Sequence, residues 1–440
     1  MKEFIKNRDI VLFGFQPWEI KTGSNFVDIA HELSSQNRVL FVNRAPDRVS
    51  VWKKRRHRQW RSTIKGRAEN EIRKINERLW VLDPAAVLES INWIPVAGLH
   101  DMLNFINNRR LAERINGAIH TLGFHNVLLI NDNDFIRGRY LKELVQCDDC
   151  IFYLRDYLTG VPYFRRHGPR LEAKTIHLAT MVAANSTYLA TYASRWNPHS
   201  FDIGQGFHML PALKQFIPDD IQPIPKPIIG YAGFISTLRI DPYILQHIAE
   251  KLPGCSIVMI GQTDPAFPRG LTDGLPNLHF LGPKPMAELY NYMSCFDICI
   301  NPQILNDITN GNYPRKIDEY LALGKPVVAT RTEAMALFAQ YSFLCTTKEE
   351  YVASIEKILR YPDTYLSADA CESRMLFASG HTWKNSLSRL SEAYFNTKNL
   401  FHPTSIHAEP VSKTSRTLRL LTIYCLVLYL LFIYIKFLFF

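Results

Sequence analysis

Asn312-Tyr-Pro314-Arg315-Lys316-Ile317-Asp-Glu319-Tyr320-Leu321-Ala-Leu-Gly324-Lys-Pro326-Val-Val-Ala-Thr330 is the stretch on which the reading of this chain turns. Proline is favoured in the first turn of a helix and glycine just beyond the last. Pro314 and Gly324 therefore frame a helix over 314–323, and 326–330 follows as an apolar strand. Ile317, Tyr320 and Leu321 fall at i, i+3 and i+4 and make its packing face. Lys316 and Glu319, three apart, share the neighbouring stripe. Arg315 and Lys316 lie in the first turn, where the helix dipole already presents positive charge. Two cations there are unfavourable unless an anion such as a diphosphate sits at the helix start. Glu319, one turn deeper, is placed to accept hydrogen bonds from ribose hydroxyls. The competing reading is a solvated charged face inside a chance proline–glycine frame.

Outward from this stretch, short apolar runs alternate with amphipathic ones. Strands are predicted at 228–233, 256–261, 278–281, 296–301 and 342–346, with helices at 242–252, 286–293, 348–360, 368–377 and 382–396. Toward the N-terminus the strands are 9–15, 38–43, 79–83, 127–131, 150–154 and 181–185, with a helix over 25–35. Continuous apolar strands alternating with helices predict parallel sheets covered on both faces. Pro211, Pro218, Pro223, Pro225 and Pro227 break the pattern between the two sets, which marks a linker. The expected organisation is an α/β chain with a Rossmann-like domain over 1–208, a linker over 209–227 and a second such domain over 228–398. A tether over 399–416 and a hydrophobic helix over 417–440 follow. The terminal helices of the second domain are free to pack back on the first. Two doubly wound domains facing each other leave a cleft at the C-terminal ends of their strands, where ligands bind.

At 440 residues the chain exceeds one ordinary core. Its net charge of +10 suggests an anionic partner. Eight scattered cysteines form no framework, and Cys147-Asp-Asp-Cys150 lacks the second pair that a zinc site needs. The usage fits a reducing compartment. The apolar run 10–15 is too short for a signal peptide. From Leu418 to Phe440 the only charges are Arg419 and Lys436, over about the 20 residues that cross a bilayer. We read 417–440 as a transmembrane helix, with a buried or in-plane helix as the alternative. Lys413, Arg416 and Arg419 before it place the catalytic domains in the cytoplasm, anchored to the inner or plasma membrane by this single pass. Residues 53–67 carry a basic run with Trp52 and Trp60 alongside, suited to an anionic membrane surface at about 1 kcal/mol per basic side chain. No nucleic-acid motif accompanies the run, so nucleic acid is not the expected partner.

The stretch 312–330 resembles the donor-binding signature of GT-B glycosyltransferases of the family 4 type: a helix carrying a glutamate, then Gly-x-Pro-Val-Val. Further likeness, to transferases of teichuronic acid and other surface polysaccharides, lies in Gly230-Tyr-Ala-Gly233 leading to Arg239-Ile-Asp241 and in Asn277-Leu-His-Phe-Leu-Gly282-Pro-Lys-Pro285. In the first domain it lies in Pro17-Trp18, Val39-Leu-Phe-Val42, Ala184-Asn-Ser186 and Gly204-Gln-Gly206-Phe-His208. The likeness runs over 9–396, specific in the second domain and loose in the first. It implies a GT-B fold and transfer of a sugar from a nucleotide diphosphate, with retention, to a lipid-linked or glycan acceptor in polysaccharide or glycoconjugate assembly. By position, Arg239 and Lys316 would neutralise the leaving diphosphate, Glu319 would hold the ribose, and Gly233 would let backbone approach the phosphates. Arg315 and Gly282 complete the expected donor site. The family usually has a second glutamate eight positions before Glu319, and here Gly311 stands in its place.

The first domain should supply the acceptor side. Asp156, after the strand 150–154, is the candidate to orient or deprotonate an acceptor hydroxyl, with His167 and Glu172 nearby in sequence. Gln16 and Trp18 follow the first strand and are candidates to line the cleft. That loop is not glycine-rich, so a dinucleotide fingerprint is absent. Asp132-Asn-Asp134 resembles the metal-binding DxD of the other main glycosyltransferase fold, but GT-B members generally need no metal, and neither metal nor cofactor is expected. Rival readings are a nucleotide-sugar epimerase or hydrolase of the same fold, and an inactive scaffold.

Overall fold

The structure, a computed structural model, describes residues 4–20, 24–48, 71–208 and 216–400. The basic run 53–67 and the predicted membrane helix 417–440 lie outside them. Among the described residues no helix is long and apolar enough to cross a membrane. Met1–Thr397 forms one compact unit, so the two lobes within it can be described together.

The first lobe is an eight-stranded sheet in the order β3-β4-β2-β1-β5-β6-β7-β8. Its strands are β1 (Asp9–Gly14), β2 (Arg38–Val42), β3 (Ile72–Asn76), β4 (Leu79–Leu82), β5 (Val127–Asp132), β6 (Asp149–Leu154), β7 (Met181–Ala184) and β8 (Ser200–Asp202). All neighbours pair parallel except β3, an antiparallel edge strand on β4. β1, β5, β6 and β7 are buried along their whole length, which explains their unbroken apolar runs. Its helices are α1 (Asn25–Ser34), α2 (Ala97–Leu122), α3 (Leu141–Leu144), α4 (Gly168–Leu178) and α5 (Thr187–Ser194). The side chains of Ser24 and Ser186 cap α1 and α5 by accepting backbone N–H bonds.

β8, α3, α4, α5 and the short helices Asp307–Asn310 and Pro362–Tyr365 of the second lobe were not read from the sequence, and neither were β3 and α2, where the physical reason is plain. β3 reads Ile-Arg-Lys-Ile-Asn and is largely exposed, so its composition is that of a loop. α2 spans 26 residues, yet its inner face carries His100, Asn104, Asn107 and Asn108, all buried. Asn104 and Asn108 donate to the Ile136 carbonyl, and Asn107 donates to that of Glu89. In the first half of α2 satisfied amides replace the aliphatic stripe that Leu111, Ala112, Ile115, Ala118 and Ile119 form in the second, so the usual helical period is interrupted.

The second lobe is a six-stranded parallel sheet in the order β11-β10-β9-β12-β13-β14. Its strands are β9 (Ile228–Ala232), β10 (Ser256–Ile260), β11 (Leu278–Gly282), β12 (Ile298–Asn301), β13 (Val327–Thr330) and β14 (Ser342–Cys345). The helices are α6 (Pro242–Lys251), α7 (Met286–Ser294), α8 (Asp307–Asn310), α9 (Lys316–Ala322), α10 (Lys348–Arg360), α11 (Pro362–Tyr365), α12 (Ala368–Ser379) and α13 (Trp383–Leu400). The strand order reverses at β1 in one lobe and at β9 in the other, which sets both switch points toward the cleft.

The last helix belongs in space to the first lobe. Trp383, Leu387, Leu390, Ala393 and Tyr394 of α13 share a core with Ile10, Leu128, Ile151 and Met181. The crossing is fastened by a bridge between Phe207 and Thr382. Gly206 sits where a Cβ would stand 2.3 Å from the Trp383 ring, so the chain passes only because that position has no side chain.

Candidate active site

The floor of the second lobe is made by strand ends. β9 stops at Ala232, and Gly233 adopts φ +148°, which favours glycine. A Cβ on Gly233 would lie 2.6 Å from Lys316 Nζ, and one on Gly261 would lie 1.9 Å from the Gly233 carbonyl oxygen. These two glycines let the ends of β9 and β10 touch and leave the backbone beside the Lys316 ammonium bare. Gly282 ends β11 at φ +71°, and its carbonyl accepts from Gly261 N at 2.9 Å. A Cβ on Gly282 would meet open space, so only the backbone angle asks for glycine there.

Lys316 opens α9 and donates to Tyr231 Oη at 2.5 Å while lying 3.8 Å over the Tyr231 ring. Tyr320, one turn on, accepts from Ala232 N at 2.8 Å and pins α9 to β9. Burial first, and then the like charge of Arg239, push the Lys316 amine down to about 7 against the opposing pull of Glu319. Arg239, in the loop after β9, borders a hollow of about 210 Å³ with Asn25, Arg155, Asp156, Asn185, Asn312 and Tyr313.

The other expected site residues fall differently. Arg315 does not face a phosphate space. Its Nε donates to Glu319 Oε1 at 3.0 Å, and its Nη1 reaches Asn25 at 2.5 Å and Asp28 at 3.4 Å in the first lobe. It is a strut between lobes. α9 is also only seven residues long, so its dipole contributes less than the sequence suggested. Glu319 stays buried beside Arg315.

Asp156 was expected to serve the acceptor. It borders the same hollow, and its Oδ1 accepts from Arg239 Nη2 of the second lobe at 3.2 Å. Asp132 accepts Arg155 at 2.5 and 3.0 Å, and Asp134 accepts Arg137 at 2.6 Å, so both acids of the DxD-like triplet are held by arginines. Among the described residues no group of three or more metal-ligating acids, histidines or cysteines assembles. His167 is buried against His100, with ring centroids 3.9 Å apart, and its Nε2 meets the Ile94 carbonyl at 2.7 Å. Glu172 is fully buried and accepts the Tyr192 hydroxyl at 2.6 Å, and burial raises its carboxyl to about 7. Neither residue borders the 210 Å³ hollow. Trp18 packs on His31 and Phe41 rather than into the cleft, and Gln16 accepts from the cap residue Ser24.

Sequence reasoning missed Asn25, Asn185, Asn312, Tyr231 and Tyr313. Tyr313 is held by Asp318, which accepts its hydroxyl at 2.7 Å and meets His381 Nδ1 at 2.7 Å. Tyr313 follows Asn312 within the quoted stretch, but nothing local shows that its partner His381 belongs to the crossing segment. Gly311 meets the first lobe directly. Ser186 Oγ donates to its carbonyl at 2.7 Å, and a Cβ on Gly311 would stand 1.9 Å from the Tyr188 ring.

Residues 230–361 match the family described as "Glycosyl transferases group 1". TuaH of Bacillus subtilis (strain 168), whose name describes a teichuronic acid biosynthesis glycosyltransferase, is 28% identical over 204 residues, covering 43% of this chain and 50% of that protein. The chain thus spans about half the length of the curated relative it matches. Sucrose-phosphate synthase from Thermosynechococcus elongatus superposes with a TM-score of 0.63 at 15% identity, over 90% of this chain and 100% of that one. HepE from Anabaena, solved in complex with UDP-glucose, superposes at 0.58 and 16% identity, over 89% of this chain and 100% of that one. At these identities the structural likeness speaks to the fold. The chain has the two-lobed α/β fold seen in GT-B glycosyltransferases, and its residues 230–361 match the glycosyl transferases group 1 model.

Proposed function

We propose that this chain moves a sugar from a nucleoside diphosphate donor to a lipid-linked or glycan acceptor in polysaccharide or glycoconjugate assembly, with retention at the anomeric carbon. What supports the reading is the mutual repulsion of Arg239 and the buried Lys316, whose ammonium stands beside the bare backbone of Gly233. Two like charges so placed are relieved by an anion. When the bond from the anomeric carbon to the diphosphate breaks, charge grows on the leaving oxygen, and preorganised cations are the most effective way to stabilise it. Glu319, buried one turn below Lys316, serves the ribose. The solved complex of HepE with UDP-glucose supports a nucleotide sugar as donor for this fold.

Titration calorimetry with a panel of nucleoside diphosphate sugars, UDP-glucose first, tests the reading through its proton linkage. The Lys316 amine sits at about 7 in the free protein, and a bound diphosphate favours its charged form. Binding therefore takes up close to one proton at pH 8 and almost none at pH 6, and affinity falls about tenfold across that interval. A sugar diphosphate diester does not itself titrate there. Failure of every donor to bind at pH 6 would mark an inactive scaffold. Nucleotide release with no acceptor added would mark a hydrolase or epimerase.

The site of action is proposed to be the cytoplasmic face of the inner or plasma membrane. Support comes from the sequence of 417–440 as a single-pass anchor and of 53–67 as a polybasic surface. Vesicle flotation checks this: chain truncated after 416 should still float with anionic vesicles at low salt and lose that binding at high salt, while the full chain should float at both.

A further inference from the structure

A second, larger hollow of about 630 Å³ opens between the lobes, next to the one bordered by Arg239. One wall is a face of α5: Tyr188, Thr191 and Tyr192, continued by Arg195 at the helix cap, at the i, i+3, i+4 and i+7 spacing. The opposite wall is the turn Ala334–Phe338 with Arg389 of α13. Asn185 and Tyr313 border both hollows and form the partition between them.

The aromatic wall is rigid. Tyr192 donates its hydroxyl to the buried Glu172 and packs edge-on against Tyr157 at 5.2 Å and Trp196 at 4.9 Å. Arg195 and Arg389 have no ion pair among the described residues. Asp202 lies on the same walls, engaged by Thr187 Oγ1 at 2.7 Å and Gly204 N at 2.8 Å, and Glu333 is exposed at the rim.

Asn185 is locked in the partition. Its amide nitrogen donates to the Arg155 carbonyl at 3.2 Å and to Gln205 Oε1 at 3.1 Å. Gln205 in turn donates its own amide to the Gly206 carbonyl, which fixes its oxygen toward Asn185. Both neighbours of the Asn185 nitrogen are acceptors, so the amide cannot be turned round. Its Oδ1 is left buried with no partner among the described residues. A buried acceptor without a donor costs about 1–3 kcal/mol.

We propose that this hollow is a saccharide subsite, holding acceptor sugar units beyond the one that reacts, with Asn185 and Tyr313 at the junction. This rests on the transferase reading above. A pyranose presents an apolar C–H face suited to tyrosine rings and a rim of hydroxyls that both donate and accept. The walls supply both, through two arginines on one side of the balance and Asn185, Asp202 and Glu333 on the other. The volume falls in the range of specific small-ligand pockets.

The test fills the hollow from its exposed edges. Thr191→Trp and Ala336→Trp lie on opposite walls at exposed positions outside the donor hollow. Binding of defined tetrasaccharides, one set neutral and one bearing uronic acids, is measured on the full chain by saturation-transfer NMR, beside binding of the donor panel. Expected is saccharide binding by the native chain that both variants weaken at least tenfold while donor affinity stays the same. Unchanged donor affinity also reports that the variants fold. Saccharide binding that both variants leave intact, or absence of saccharide binding by a native chain that binds donor, overturns the subsite. Absence of donor binding by the native chain instead removes the transferase reading beneath it.

Discussion

Replacing Lys316 by methionine is expected to lower kcat/KM for sugar transfer by about 10²- to 10³-fold, the usual cost of one preorganised charge-stabilising group, and at the same time to make the ligand-free protein more stable. The two effects share one cause. The Lys316 amine is crowded by burial and by Arg239, and its hydrogen-bond partner is a neutral phenol. The folded chain therefore holds this proton less tightly than the unfolded chain, whose lysine keeps its ordinary value. Between about 7 and the ordinary lysine range the unfolded state binds more protons, so stability rises with pH through that window and is lowest below it. Methionine fills a similar volume over the Tyr231 ring without the charge. Thermal melts without ligand should show a gain of about 1–4 °C at pH 7 that shrinks toward pH 10. A variant that loses stability at pH 7, or keeps full transfer activity, would show that Lys316 is a structural cation.

Restoring the family's glutamate by Gly311→Glu is expected to impair the protein. The backbone there is ordinary, so no conformational penalty opposes a side chain. The obstacle is the Tyr188 ring, 1.9 Å from where the Cβ would stand. Overpacking of this kind costs about 1–3 kcal/mol. It would also push apart the Ser186 hydroxyl and the Gly311 carbonyl, now 2.7 Å apart and one of the direct bonds between lobes. Transfer should fall at least about tenfold through loss of lobe registration. Gly311→Glu combined with Tyr188→Ala relieves the collision, so the double variant should recover most of the lost stability, a coupling of about 0.5–3 kcal/mol in a double-mutant cycle. Additive losses in that cycle would falsify the packing account. Where the resembled signature carries an acid, this chain places Gly311 in an interlobe contact.

Much of the architecture could be read locally. The strands β1, β5, β6, β9 and β10 are buried along their length, so an apolar run is both their cause and their trace. α9 is framed by Pro314 and by Gly324, whose φ of +70° is the geometry glycine is chosen for. Where burial was polar the trace vanished, as in the amide-lined face of α2, and where an edge strand was exposed there was none, as in β3. The pairing of Arg239 with Asp156 spans 83 positions, and that of Arg315 with Asn25 spans 290. Adjacency over such separations has no counterpart in local spacing. Residue order and chemistry alone marked the parallel strands of both sheets, the helix framed by Pro314 and Gly324, and Arg239 and Lys316 as candidate cations. Folding alone decided that Arg315 would brace the lobes, that Asp156 would face a guanidinium, and that Tyr188 would occupy the space beside Gly311. Periodicity records only which face of an element is buried, whereas charge pairing is set by whichever surfaces the lobes bring together.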